Sequence, residues 1–162
     1  MCMLLKEIYL EVYGESFSYA SLEKRIKLEK AVYFLENMGL SVGDYSFSWD
    51  KYGPYSLALD CDAQYCDSMA PQTVEFSSTA KSLFAKVRSF MSRNNQYPDH
   101  RWVECIASLH YLKYVYHFPE EKLLDELKSR KGYLDDNSAN LEALSIIEKI
   151  QVGDDDGSYK GC

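Results

Sequence analysis

The sequence predicts a mainly α fold with a small antiparallel β-sheet (α+β), arranged as a compact single helical domain. Three observations predict it. Apolar residues recur at helical spacing through most of the chain, as in Leu28, Ala31, Val32 and Leu35. Alternation at a period of two is confined to short runs such as "DYSFSW". Glycine, proline or a short polar residue stands where one pattern gives way to the next. A chain of 162 residues with 46% apolar content suits one domain with a sizeable core, expected over residues 1–152.

The elements follow in order. Leu5, Ile8 and Val12 share one face of a first helix over residues 3–13, which Gly14 ends. A second helix runs from about Ser21 to Met38, and Gly39 closes it in a left-handed conformation. Tyr45, Phe47 and Trp49 then alternate on one face of a strand, with Thr73–Phe76 as the expected partner strand. Pro54 is read as the start of a third helix reaching about Tyr65, because proline is tolerated at the first helical position. Ser77 or Ser78 caps a fourth helix with Ala80, Leu83, Phe84, Val87 and Phe90 inward. Asp99 is expected to cap a fifth, whose buried face is Trp102, Val103, Ile106, Leu109 and His110. Pro119 starts a sixth with Leu123, Leu124 and Leu127 buried, and a last helix over about Ser138–Ile150 uses Leu141, Leu144 and Ile147. Residues 153–162 are acidic and without apolar periodicity, and are expected to be disordered. The order of elements in the N-terminal half is compatible with a winged-helix-like arrangement.

Charge and cysteine content narrow the function. The net charge of −7 opposes general affinity for phosphate backbones. The acidity concentrates in residues 119–162, with six basic and eleven acidic side chains. Two basic stretches remain: Lys24, Arg25, Lys27 and Lys30 on the second helix, and Lys81 to Arg101 further on. They keep a nucleic-acid-associated regulator open as an alternative, if they share a face. Five cysteines form no paired framework, and the opening "MCMLLKEIYLEVYG" lacks the basic start of a secretion signal, so a reducing cytoplasm is expected. No apolar run has the ~18 residues of a membrane span, and no membrane role is expected.

No motif announces catalysis, and no cofactor is expected. Cys61, Cys66, Cys105, His110 and His117 do not match the spacing of a zinc site, so inert thiols are expected and no metal. Asp60-Cys61-Asp62 lacks the glycine and closing glutamate of a calcium loop. Glycine-rich phosphate loops and the G-x-S-x-G and H-E-x-x-H motifs are absent. Fourteen tyrosines suit the edge of a core first, and an interface second.

One stretch is less bland. In "FSWDKYGPYSLAL", Trp49, Tyr52 and Tyr55 bracket the expected helix start around Gly53 and Ser56. Free amides at such a start favour an anion, a partner's carboxylate or a phosphate. The reading favoured here is a corner that locks strand to helix, with Gly53 supplying backbone freedom. An enzyme with a site around Trp49–Ser56 is a further alternative.

The pieces "KLEKAVYFLENMGL", "YSFSW" and "YGPYSLAL", in this order and close together, resemble the YwgA-like group of bacterial proteins and, more distantly, the Panacea-domain (SocA-like) proteins. The matching residues are Lys27, Leu28, Lys30, Tyr33, Trp49, Gly53, Pro54 and Ser56, within residues 25–60. The Panacea resemblance implies an antitoxin-type or adaptor role, of bacterial or phage origin, through contact with another protein such as a cognate toxin. Tyr55-Ser56 follows the YwgA manner, whereas Panacea relatives usually carry an aliphatic residue there. The expected function is therefore a non-catalytic protein–protein interaction module. Its candidate partner- or anion-binding residues are Lys27, Lys30, Tyr33, Trp49, Tyr52, Gly53, Tyr55 and Ser56.

Overall fold

Two helices, α2 (Leu22–Asn37) and α5 (Asp99–Tyr114), are buried on almost every side over Ile26–Leu35 and Trp102–Leu112 and pack against each other. The computed structural model describes residues 2–151; the predicted acidic tail, 153–162, lies outside them. Around this central pair stand α1 (Leu5–Tyr13), α3 (Leu57–Asp67), α4 (Ser78–Ser89), α6 (Glu120–Arg130) and α7 (Asn137–Ile146), with 3-10 turns at Cys2–Leu4 and Ile147–Ile150. Helix α1 packs on α3 and α4, while α6 and α7 pack on α5. A two-stranded antiparallel hairpin, β1 (Ser48–Asp50) and β2 (Gly53–Tyr55), rests on both central helices. The predicted class, mainly helical with a small antiparallel sheet, is the observed one.

The core joins Leu28, Val32 and Leu35 of α2 to Phe84 and Val87 of α4 and to Val103 and Ile106 of α5, as the apolar periodicity predicts. Leu83 is only partly buried at its edge. Trp102 is fully buried, and its indole N–H donates to the Phe90 carbonyl at 2.6 Å, so burial leaves no polar atom orphaned there. Capping follows local chemistry. Ser21, Ser77 and Asp136 accept backbone N–H groups at the starts of α2, α4 and α7, and Gly14 closes α1 at φ 69°.

Several expectations are corrected. The strand partner of Trp49 is not Thr73–Phe76, which forms no strand, but Pro54 immediately beyond the turn. A loop of Lys51 and Tyr52 closes this pairing, and a short loop costs less closure entropy than one spanning more than twenty residues. Pro54 therefore lies in β2 and does not start α3; proline is acceptable there because a two-stranded hairpin is all edge. Ser56 is the true cap, its Oγ accepting the Leu59 N–H at 3.3 Å. Both strands precede α3, so the hairpin is not a wing set after a third helix. Pro98, not Asp99, occupies the capping position of α5, and the Asp99 carboxylate instead pairs with Arg93 at 2.7 Å. The last helix is α-helical only to Ile146 and continues as a 3-10 turn. Leu141 is 57% exposed, and Ala139, Ala143, Ile147 and Ile150 go inward.

Candidate functional site

The hairpin is fastened from two directions by charged side chains that have left water. Lys30 of α2 is 1% exposed and its Nζ donates to the Pro54 carbonyl at 2.8 Å. Beside it Glu29 accepts the Ser56 N–H at 3.1 Å through Oε2. The corner at the start of α3 is thus already occupied by the chain's own Glu29 carboxyl, which supports the locked-corner reading of Gly53–Ser56. Burial pushes the Glu29 carboxyl above the usual carboxylate range and the Lys30 ammonium below its usual range, each opposed by the charge of the other.

The second fastening comes from α5. Glu104 has no exposed surface, and its carboxylate accepts from Arg101 at 2.9 Å, from Lys131 at 3.2 Å and from the Tyr133 hydroxyl. Lys131 Nζ also donates to the Lys51 carbonyl in the hairpin turn at 2.5 Å. Burial lowers the pKa of Lys131, and Glu104 acts against that shift. Gly53 sits between the two fastenings at φ 90°. A Cβ there would stand 2.6 Å from Ser108 Oγ of α5, so both backbone conformation and space demand glycine.

Held this way, the hairpin presents a band of aromatic and cationic groups. Trp49 packs on Tyr111 and Tyr116, with ring centroids at 5.9 and 6.1 Å. The Arg130 guanidinium lies 5.5 Å from the Trp49 ring, 5.4 Å from Tyr116 and 5.6 Å from Phe118. Next to it Arg101 stacks on Tyr133 at 4.4 Å and approaches Tyr52 at 5.9 Å. Tyr116 and Tyr133 are 43% and 45% exposed.

The predicted site residues divide accordingly. Trp49 and Tyr52 reach the aromatic band, whereas Tyr55 turns to Asp60, its hydroxyl donating at 3.2 Å; burial, then Asp60, push that hydroxyl up to about 12. Lys27 and Lys30 are corrected from surface cations to buried ones. Lys27 pairs with Glu15 at 2.8 Å and lies 4.4 Å from the Tyr13 ring, while Lys24 donates to the Ser16 carbonyl. Arg93 is tied to Asp99 and the Tyr97 carbonyl, so its charge is neutralised locally and is not free to extend a basic stripe from Lys24. Tyr33 is internal, its hydroxyl 2.6 Å from His110 Nδ1. His110 is the core histidine its apolar neighbours suggest, and burial lowers its pKa to about 4.

Sequence reasoning missed Glu29, Glu104, Lys131, Arg130 and Tyr133. The available signal for the first two was position: Glu29 precedes "KAVYFL" and Glu104 lies inside "WVECIASLHYL", runs apolar enough to be buried all round. Cys61 is exposed, whereas Cys66 and Cys105 are buried. Among the described residues no three or more His, Cys, Asp or Glu side chains gather as a metal site, and no helix is long and apolar enough to cross a membrane. No protein-family model, curated protein or solved structure matches the chain.

Proposed function

We propose that this protein is a non-catalytic protein–protein interaction module, an antitoxin-like or regulatory adaptor of the kind the YwgA-like and Panacea resemblance implies, working in a bacterial cytoplasm. The observation that carries the reading is the Trp49–Tyr116–Arg130 band, continued by Tyr133 and Arg101, on a hairpin fastened by buried charges. Tryptophan, tyrosine and arginine are the side chains that dominate binding energy at protein interfaces. A framework that fixes them beforehand reduces the ordering cost of association. The burial of Lys27 and Lys30 removes half of the basic group on α2 from any contact with phosphates, which weighs against the nucleic-acid alternative.

The test is co-expression with the product of the neighbouring reading frame. A stoichiometric complex that relieves growth arrest, lost on Arg130→Glu in a protein that stays folded, is the expected result. Absence of any complex, together with sub-micromolar duplex binding by fluorescence anisotropy, would replace this reading with the DNA regulator. Generic duplex is expected to bind no tighter than roughly 10 μM at physiological salt.

A further inference from the structure

Helix α3 gives one face to the core, through Leu59, Ala63 and Cys66. On its opposite side Leu57, Cys61 and Tyr65 follow at intervals of four residues, with Ala58 beside them, and all four are exposed. Leu57 at 67% and Tyr65 at 60% are the two most exposed large apolar side chains among the described residues. Single apolar residues scattered over a surface need no explanation, but these share one stripe about 12 Å long. Carboxylates border it on both sides. Helical spacing puts Asp60 and Asp67 on one flank and Asp62 on the other. Neutral groups hold two of them in place: Asp60 accepts from the Tyr19 and Tyr55 hydroxyls, each at 3.2 Å, and Asp62 from Tyr45 at 2.7 Å. Among the described residues none of the three carboxylates forms an ion pair, and α3 itself contains no lysine or arginine. Arg25, Lys30 and Lys51 line the cleft beside Asp60 but make no ion pair with it.

This charge pattern chooses the occupant. A second copy of the chain, packed α3 on α3, would set carboxylates against carboxylates, which opposes association. An apolar stripe with anionic borders is complemented by an apolar stripe with cationic borders. An amphipathic helix carries that pattern when Lys or Arg stands on both sides of its apolar face, as charges flank the seam of a coiled coil. We propose that the outer face of α3 docks a cationic amphipathic helix of a partner protein, its apolar residues along Leu57, Cys61 and Tyr65 and its cations against Asp60, Asp67 and Asp62. This face is separate from the Trp49–Arg130 band and does not depend on the partner proposed there; it gives the chain a second docking surface.

Fluorescence anisotropy of a labelled peptide mixed with the full chain is the test. The probe is a peptide of about 14 residues, four helical turns, built of leucine and lysine with leucine at i, i+3, i+4 and i+7. It should saturate the chain below about 100 μM, and a permuted peptide of the same composition without an apolar face should bind at least about tenfold more weakly. Tyr65→Lys puts a cation into the stripe, in the last turn of α3 where a helix accepts one, and should weaken the probe about tenfold or more. Leu141→Lys brings a lysine to a similarly exposed position on α7 and should leave binding within about twofold. Arg130→Glu should also leave the probe bound, so failure here and failure of the band reading are told apart. If Tyr65→Lys does not fold, Leu57→Lys takes its place. Equal losses in the α3 and α7 variants would show only general attraction to a chain of net charge −7, and would overturn the proposal. Equal binding of the two peptides, or no saturation by about 100 μM, would do the same. So would self-association of the unaltered chain in sedimentation that Tyr65→Lys abolishes, since the occupant would then be a second copy.

Discussion

The two sides of the central helix pair are held together by different physics. Toward α1 and α4 the contacts are mostly apolar, with Leu5, Ile8, Phe34, Phe84 and Trp102 all buried, and the buried charge of Lys27 lies over the Tyr13 ring and pairs with Glu15. Toward the hairpin, Glu29, Lys30, Glu104 and Lys131 are buried instead, and each is bonded to a particular backbone or side-chain group. Apolar packing is non-directional and tolerates exchange of one hydrophobic residue for another of similar volume. A buried ion pair adds little net stability, yet it holds a geometry because breaking it leaves a charge stranded. The hairpin side is therefore the region where position matters most.

Removing one member of the charged set should show this contrast most strongly. Glu104→Ala strands Lys131, which is 2% exposed, and also frees Arg101 and Tyr133. A loss of about 3–5 kcal/mol is expected by chemical denaturation. Adding Lys131→Met to Glu104→Ala should recover part of it by removing the stranded charge, which a purely steric role for Glu104 would not allow. On the apolar side Leu35→Ala deletes a fully buried side chain of α2 and should cost about 2–5 kcal/mol, while leaving the hairpin amide signals in place. Hairpin signals that move as far as those of the core would make the two sides one cooperative unit and erase the distinction.

The smallest effect concerns pH. His110 is buried against Tyr33 and Gln151 and titrates near 4 in the folded chain, below the usual histidine value of about 6.5. Folding favours the neutral ring, so this contribution is complete above about pH 6.5 and is lost as the pH falls toward 4. Subtracting the stability–pH curve of His110→Gln from that of the unaltered chain should isolate a fall of about 2–3 kcal/mol across that window. A flat difference would mean that the ring is accessible to water.

Helices with one apolar face were legible in the sequence. In α1 and α4 the spacing of Leu5, Ile8 and Val12, and of Ala80, Phe84 and Val87, is that of the buried faces observed. Helices buried all round were not, because Lys27 and Lys30 carry the charges that ordinarily mark a solvated face, and only tertiary partners show otherwise. The hairpin was misread where two rules compete. Gly53-Pro54 suits a helix start, but Ser56 is the stronger cap, and the Lys51-Tyr52 turn brings Pro54 opposite Trp49. Of the candidate site, Trp49 and Tyr52 were visible as aromatics near a corner. Arg130 and Tyr133 come from far along the chain and carried no local signal.

An isolated two-stranded hairpin is at best marginally stable in water, so its order here must come from its packing on α2 and α5, with the buried charges as part of that contact. Amide hydrogen exchange on the native protein measures that order directly. The Ser56 N–H, donated to Glu29, and the paired amides of Ser48–Tyr55 should exchange as slowly as that of Leu109 in α5, through global unfolding only. Exchange of these amides at loop-like rates while Leu109 stays protected would contradict the account, since the hairpin would then be a mobile flap and not a fixed platform.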